Sequence, residues 1–307
     1  MILTVTLNMA LDVTYAIERI GWGESNRVAS VSRRAGGKGI NVSRVLHRMA
    51  YETLAMGLIG GATGAAIDED LRRTSLAARL VRISGESRQT VAIVDPERTT
   101  LFNEPGPEIT GAEWDSFVTA FRDVVGTSRC VVLSGSLPPG APVDGYATLL
   151  GIARGAGVPS LLDTSGPALE QGVTARPDVV KPNHSEVQEL LRRDCRTAAE
   201  AGEAANELRH MGAGSAVVTR GAEGLVAATE DATWTGSMPE VIAGNPTGAG
   251  DAVAAALAIG VVEGRPWPDR LADALAFGAA SLRAATAGDV DPDEVRRLRV
   301  LAKVAEI

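Results

Sequence analysis

Two glycines, an aspartate and an alanine-rich run stand together in NPTGAGDAVAAALAIG, from Asn245 to Gly260. The run predicts a helix, and the glycines leave the backbone N–H groups of Gly248, Ala249 and Gly250 unobstructed at its N-terminus. With the helix dipole behind them, these groups form an anion hole. Asp251 falls in the same turn, placed to take a proton from a hydroxyl that attacks a phosphorus held there. A simple N-cap is the plainer alternative for Asp251. Neither nucleotide fingerprint competes: GAGDAV lacks the third glycine of the dinucleotide motif, and GGKG lacks the flanks of a Walker A lysine.

A second glycine cluster, AGGKGINVSRVL from Ala35 to Leu46, again precedes a helical pattern. Gly36 and Gly37 allow close backbone approach, Lys38 brings a point charge, and Asn41 offers an amide to hydroxyls; a loop followed by a cap is the structural alternative. In KPNHSEVQEL a strand ending at Lys181 is halted by Pro182, so Asn183 and Glu186 share one side of a helix start. An amide and a carboxylate so placed suit Mg²⁺ held through its waters, and they equally suit a capping box. Lys38, Lys181 and Lys303 are the only lysines among 30 basic residues. Where arginine is the default cation, a lysine inside a motif points to a specific use.

The elements that must carry these motifs follow from periodicity. Ile2 to Leu7 reads as a buried strand ending near Asp12, and Val13 to Ile17 with Arg27 to Val31 as a small antiparallel excursion. Gly39 to Ala50 is helical, Thr53 to Ile59 a strand, and Gln89 to Val94 with Thr99 to Asn103 a second β excursion, the two excursions pairing into one side sheet. From Thr110, an N-cap with Glu113 three residues on, strands and helices alternate. The helix runs to Val125; strand Cys130 to Ser134, helix Val143 to Gly155 and strand Ser160 to Asp163 follow. Strand Val179 to Lys181, helices Ser185 to Arg193 and Ala198 to Met211, strands Ala216 to Thr219 and Leu225 to Ala228, and helices from Asp251 and Trp267 complete the order. Such alternation predicts an α/β fold with a mostly parallel sheet covered on both faces, and ligands outside the C-terminal strand ends.

Length and composition agree with one large α/β unit: 307 residues, 45% hydrophobic, 22% charged, and only 4% aromatic, so the core is aliphatic. A net charge of −8 argues against grip on nucleic acid or an anionic membrane, and any anionic ligand must find a local positive site. The longest apolar run, Ala252 to Val262, is too short to span a bilayer, and MILTVTLN lacks a basic leader. With two cysteines, Cys130 and Cys195, in no paired or metal-ligand spacing, a reducing cytoplasm is expected. His47, His184 and His210 have no mutual metal spacing.

In chain order the sequence offers Asp12, GGKGIN, SGSLPPG from Ser134 to Gly140, KPNHSE, TRGAEG from Thr219 to Gly224, and NPTGAGD. Over essentially the whole chain this resembles the ribokinase-like sugar kinases, in particular the phosphofructokinase B branch that contains 1-phosphofructokinase and tagatose-6-phosphate kinase. The resemblance implies a single domain over 1–307 with a parallel sandwich core. It also implies a β lid built from segments near 12–34 and 87–106 that mediates a homodimer, and phosphoryl transfer from MgATP, with a monovalent cation as a further candidate cofactor. By that resemblance Asp251 is the catalytic base and Gly248, Ala249 and Gly250 the anion hole. Asp12, Gly37, Lys38, Asn41, Asn103 and Ser136 are substrate contacts. Lys181 and Asn183 serve ATP, Asn183 and Glu186 the magnesium through water, and Thr219, Gly221 and Gly224 line the nucleotide. Arg88, in ESRQTVAIV, resembles the branch's phosphate-binding arginine, whose planar fork suits a dianion; Arg27 is a second candidate from the same or the partner subunit.

The implied reaction is phosphorylation of a hexose phosphate, fructose 1-phosphate or a similar acceptor. NPT before GAGD lies nearer the tagatose-6-phosphate enzymes, so tagatose-6-phosphate kinase or a 6-phosphofructokinase is the alternative, followed by a kinase of an unphosphorylated sugar or nucleoside. A catalytically silent sugar-phosphate sensor is the rival from another class. It needs the pocket but not Asp251.

Overall fold

Valine, leucine and isoleucine fill the inner strands because those strands are buried on both faces, and successive residues serve opposite layers. In the computed structural model, which describes residues 1–96, 98–242, 244–284 and 286–307, Leu3 and Val5 face one hydrophobic cluster and Ile2 the other. The central strands are β1 (Ile2–Thr6), β4 (Thr53–Gly60), β5 (Ala78–Ile83), β8 (Cys130–Ser134), β9 (Ser160–Asp163), β10 (Val179–Val180), β11 (Ser215–Thr219), β12 (Leu225–Ala228), β13 (Thr233–Ser237) and β14 (Lys303–Glu306). They form one sheet in the order β14-β13-β12-β11-β10-β9-β8-β1-β4-β5. Neighbours from β11 to β5 pair in parallel, while β12, β13 and β14 continue the edge antiparallel.

Helices α3 (Gly111–Val125), α4 (Gly145–Gly155), α5 (Gly166–Thr174), α6 (His184–Leu191) and α7 (Ala198–Met211) cover one face. On the other lie α1 (Lys38–Arg48), α8 (Ala249–Val262), α9 (Trp267–Leu282) and α10 (Pro292–Arg299). Helix α2 (Gly61–Arg73) packs Ile67 and Leu71 beneath a separate small sheet. That sheet has the order β3-β2-β6-β7, from β2 (Ala10–Ala16), β3 (Ser30–Gly36), β6 (Arg88–Val94) and β7 (Thr99–Asn103). The mostly parallel sheet flanked by helices, with a small sheet beside it, is the architecture the alternation predicts.

Several expected boundaries move. The first strand stops at Thr6, and Asp12 lies inside β2. The strand expected at Arg27 to Val31 is displaced to Ser30–Gly36, because its ladder with β2 runs in register as far as Ala10 opposite Gly36 and draws the glycine motif into the sheet. The fourth helix begins at Gly145, after a turn in which Gly145 N–H donates to the Pro142 carbonyl. Helix α6 ends at Leu191 because Arg192 takes the left-handed conformation, φ 52°. Local capping needs no revision: Thr110 and Glu113 form the reciprocal box that starts α3. No described helix is long and apolar enough to cross a membrane.

Candidate active site

Adjacent parallel strands end at one edge of the sheet, and their last or following residues are polar: Thr6, Ser134, Asp163, Lys181 and Thr219. Above this edge stands the N-terminus of α8. Gly248 is its N-cap in the left-handed conformation, φ 86°, and no side chain caps the first turn. Ala249 N–H donates to the Pro246 carbonyl at 3.2 Å, and among the described residues the N–H groups of Gly248 and Gly250 are left for another acceptor. Lys181 Nζ lies 3.6 Å from where a Cβ on Gly250 would stand, so a buried ammonium adjoins the glycine turn.

Asp251 sits in that turn, 6% exposed, and its Oδ2 accepts from Asn41 Nδ2 at 2.8 Å. Asn41 belongs to the first turn of α1, which starts from Gly37 at φ 110°; a Cβ there would come 2.6 Å from Thr6 Cγ2. Burial, then the charge of Asp163, push the Asp251 carboxyl up to about 7 against the pull of the Asn41 hydrogen bond, Lys38 and Lys181. Asp163 Oδ1 is 3.3 Å from both Lys38 Nζ and Lys181 Nζ, and Lys38 also stands 3.4 Å from Glu186 Oε1. Two ammoniums are thus matched by Asp163 and Glu186, leaving Asp251 as the unmatched charge of the group. Burial works to raise the Asp163 carboxyl, yet the two lysines outweigh it and hold it below the usual range.

Asp163 was not among the expected site residues. Its signal was its place, the polar end of a fully buried strand, SLLD.

A cleft of about 500 Å³ runs beside this cluster, lined by Lys38, Arg88, Asn103, Ser136, Glu186 and Asn8 among others. Four sequence-predicted acceptor contacts therefore share one cavity with Glu186. Arg88 spends Nε on the Asn8 carbonyl at 3.1 Å and Nη1 on the Glu104 carbonyl at 3.3 Å. Asp12 is half-buried on β2, against Gly36, where a Cβ would overlap its carboxylate. Burial raises its pKa to about 6, opposed by Arg44, Arg34 and Arg88. Asp12, Gly37 and Asn41 are not among its lining residues.

Asn183 and Glu186 form a full capping box at the start of α6: Asn183 Oδ1 accepts from Glu186 N–H at 2.9 Å, and Glu186 Oε2 from Asn183 N–H at 2.8 Å. The capping box is therefore formed, with Glu186 Oε1 outside it and turned to Lys38. Thr219 bridges to Asn183 and donates its N–H to the Pro182 carbonyl. Gly221 and Gly224 frame the following turn at φ 59° and 85°, where a side chain on Gly224 would meet the Gly236 carbonyl. These three lie along the sheet edge from the cleft and do not line it.

Comparison with known proteins bears on this geometry. Residues 5–294 match the pfkB family carbohydrate kinase profile. Tagatose-6-phosphate kinase of Staphylococcus epidermidis is 31% identical over 315 residues, with all of both chains covered. A possible 1-phosphofructokinase of Thermotoga maritima has a solved structure with a TM-score of 0.86 at 27% identity, covering 100% of this chain and 99% of that one. Phosphofructokinase-2 of Escherichia coli, solved in complex with potassium, superposes with a TM-score of 0.92 at 24% identity over 97% of this chain and 98% of that one, a likeness of fold. On the profile and the full-length relative, the chain belongs to the pfkB family of carbohydrate kinases, phosphotransferases with an alcohol group as acceptor.

Proposed function

We propose that this enzyme transfers the terminal phosphoryl group of MgATP to a hydroxyl of a hexose phosphate. The observation that carries the reading is the turn at α8: Asp251, poised near 7, beside uncapped N–H groups and the Lys181 ammonium. Asp251 takes the hydroxyl proton as that oxygen bonds to the γ-phosphorus; the bond from phosphorus to the bridging oxygen breaks, and ADP leaves. The N–H groups of Gly248 and Gly250 and the ammonium of Lys181, joined by Ala249 N–H when it turns from the Pro246 carbonyl, stabilise the charge on the transferring group. Lys181, Asn183, Thr219, Gly221 and Gly224 lie along the strand ends where ATP would run.

Magnesium enters with ATP, and the fit here is through water, because Asn183 is committed to its cap and only one Glu186 oxygen is not. The potassium bound by the E. coli relative supports a monovalent cation as a further cofactor.

For the acceptor, Arg88 in the same cleft as Lys38, Asn103 and Ser136 supports a substrate already bearing a phosphate. Asp12, Gly37 and Asn41 are the proposed contacts for its hydroxyls, Asn41 through the amide that also meets Asp251. Fructose 1-phosphate is the first candidate, supported by the T. maritima relative. Tagatose 6-phosphate is the second, favoured by the full-length identity to the S. epidermidis enzyme.

The small sheet, with the segments near 12–34 and 87–106, serves as a lid on a single catalytic domain. Its exposed apolar residues, Val31 and Phe102 on one side and Leu101 on the other, with Trp22 at 75% exposure in the β2–β3 connection, support a homodimer through the small sheet. A cytoplasmic enzyme accords with two free, buried cysteines. An ADP-release assay across fructose 1-phosphate, fructose 6-phosphate, tagatose 6-phosphate and the free hexoses tests the reading: a ketohexose phosphate should give the highest kcat/KM, and preference for a free sugar would remove the phosphate from the acceptor.

A further inference from the structure

Asn8 lies in the turn between β1 and β2, on the cleft wall, and the reaction above gives it no part. It is 5% exposed. Its Nδ2 donates to the Pro105 carbonyl at 2.9 Å and to Ser136 Oγ at 3.2 Å, so one amide joins the segment leaving β7 to the loop after β8. The Asn8 carbonyl accepts from Arg88 Nε at 3.1 Å. Both amide N–H groups are thereby spent inside the protein, which argues against a direct contact with the acceptor.

The opposite side of the amide shows what holding this position costs. Among the described residues Asn8 Oδ1 has no hydrogen-bond partner although it is buried, an unfavourable state, so the side chain is kept there by its other bonds. Room for the oxygen comes from Gly106, at φ +99°, where a Cβ would run into it. A single residue thus ties together the turn that holds Arg88, the exit of the small sheet and the Ser136 loop, three pieces of the same cleft.

We infer that Asn8 is a positioning residue for acceptor recognition: it latches the exit of β7 and the Ser136 loop to the turn that holds Arg88, and so keeps the guanidinium set for the acceptor's phosphate. The inference rests on the hexose-phosphate reading. A latch of this kind acts on binding of the phosphate end and leaves the Asp251 end assembled.

The test compares wild type with Asn8→Ala, Gly106→Ala, Arg88→Ala and the Asn8→Ala/Arg88→Ala double variant. Steady-state kinetics are measured with the best hexose phosphate, the matching free hexose and ATP. Asn8→Ala and Gly106→Ala should each raise KM for the hexose phosphate about tenfold while kcat, KM for ATP and use of the free hexose stay within about threefold. In the Arg88→Ala background, Asn8→Ala should add less than about twofold, because the group it positions is gone.

Full multiplicative losses in the double variant, an unmoved KM, or a fall in kcat alone would overturn the latch. Should Asn8→Ala fail to fold, Gly106→Ala enters the same cycle, since it displaces the same amide from outside. A wild type that prefers the free hexose overturns the acceptor reading instead. The latch is then decided by amide hydrogen exchange: faster exchange over residues 103–106 in Asn8→Ala keeps it, and unchanged exchange removes it.

Discussion

Lys181 Nζ lies 3.3 Å from Asp163 Oδ1, an ion pair whose side chains are 4% and 1% exposed. Desolvating two charges so completely is tolerable only when each has its partner. Lys38 reaches the same oxygen from α1, so the two lysines that lie inside motifs converge on one carboxylate. The pair sets where the ammonium beside Gly250 stands, and its negative member raises the pKa of Asp251.

The Asp251 carboxyl should lose its proton near pH 7, so kcat/KM for the acceptor should rise with pH through about 7. Asp251→Asn should lower turnover by about two to four orders of magnitude while both substrates still bind. An acid limb near the ordinary 3.8, or turnover within about threefold of wild type, leaves Asp251 as a first-turn carboxylate facing the helix dipole and not a base, the N-cap being Gly248.

The same residue carries a stability prediction of opposite sign. A carboxyl whose folded pKa is raised from 3.8 to about 7 binds more protons folded than unfolded, so its contribution to stability falls as pH rises through that window. Asp251→Asn removes the buried charge, and Asn41 can still donate to the amide oxygen. At pH 8 the variant should melt at least about 2 °C above wild type, with the gap closing toward pH 4. A calorimetric pH series that shows a lower Tm at pH 8 contradicts this.

Asp163→Asn leaves the Lys181 ammonium buried beside a neutral group. Breaking such a pair costs about 3–5 kcal/mol, visible in denaturant unfolding. The substitution also removes the charge that raises Asp251, so the acid limb of the surviving activity should move to lower pH. A limb that stays in place or moves upward contradicts the coupling between the two carboxylates.

Glu186 and Asn183 have separable duties. Asn183→Ala breaks the cap and should lower stability by about 1 kcal/mol. Glu186→Gln can keep the N–H contact of the box while losing the charge, so it should raise the magnesium needed for half-maximal rate with little change in Tm. Identical magnesium titrations for Glu186→Gln and wild type would confine Glu186 to the cap.

Arg88→Ala should weaken use of the hexose phosphate by roughly 2–4 kcal/mol, mainly in KM, as a severed charge pair does. Arg88→Lys should recover only part, since it supplies charge without the fork. Equal losses on the phosphorylated and the free hexose would show Arg88 to be a wall of the cleft and not its phosphate contact.

How much of this was legible in the residues themselves follows from the range of the forces involved. Strand and helix patterning, the Thr110–Glu113 box and the uncapped glycine turn before α8 are decided within a few residues, and the order of GAGD, GGKGIN and KPNHSE along the chain points to the family that the profile match shows. The NHSE segment has a short-range signal that is the same for a cap and for a metal-facing pair; the folded chain forms the cap and leaves Glu186 Oε1 outside it.

Sheet order, in contrast, is a property of the whole chain. It brings Lys38 to Asp163 across 125 residues and Asn8 to Ser136 across 128, and no local period encodes either meeting. The ladder from Ala10 opposite Gly36 shifted β3 away from its local pattern, because pairing with β2 outweighs propensity on an exposed strand. The elevated pKa of Asp251 belongs to the same level. The residue type supplies a carboxyl, and only burial against Asp163, two lysines and Asn41 sets the pH at which it can accept a proton.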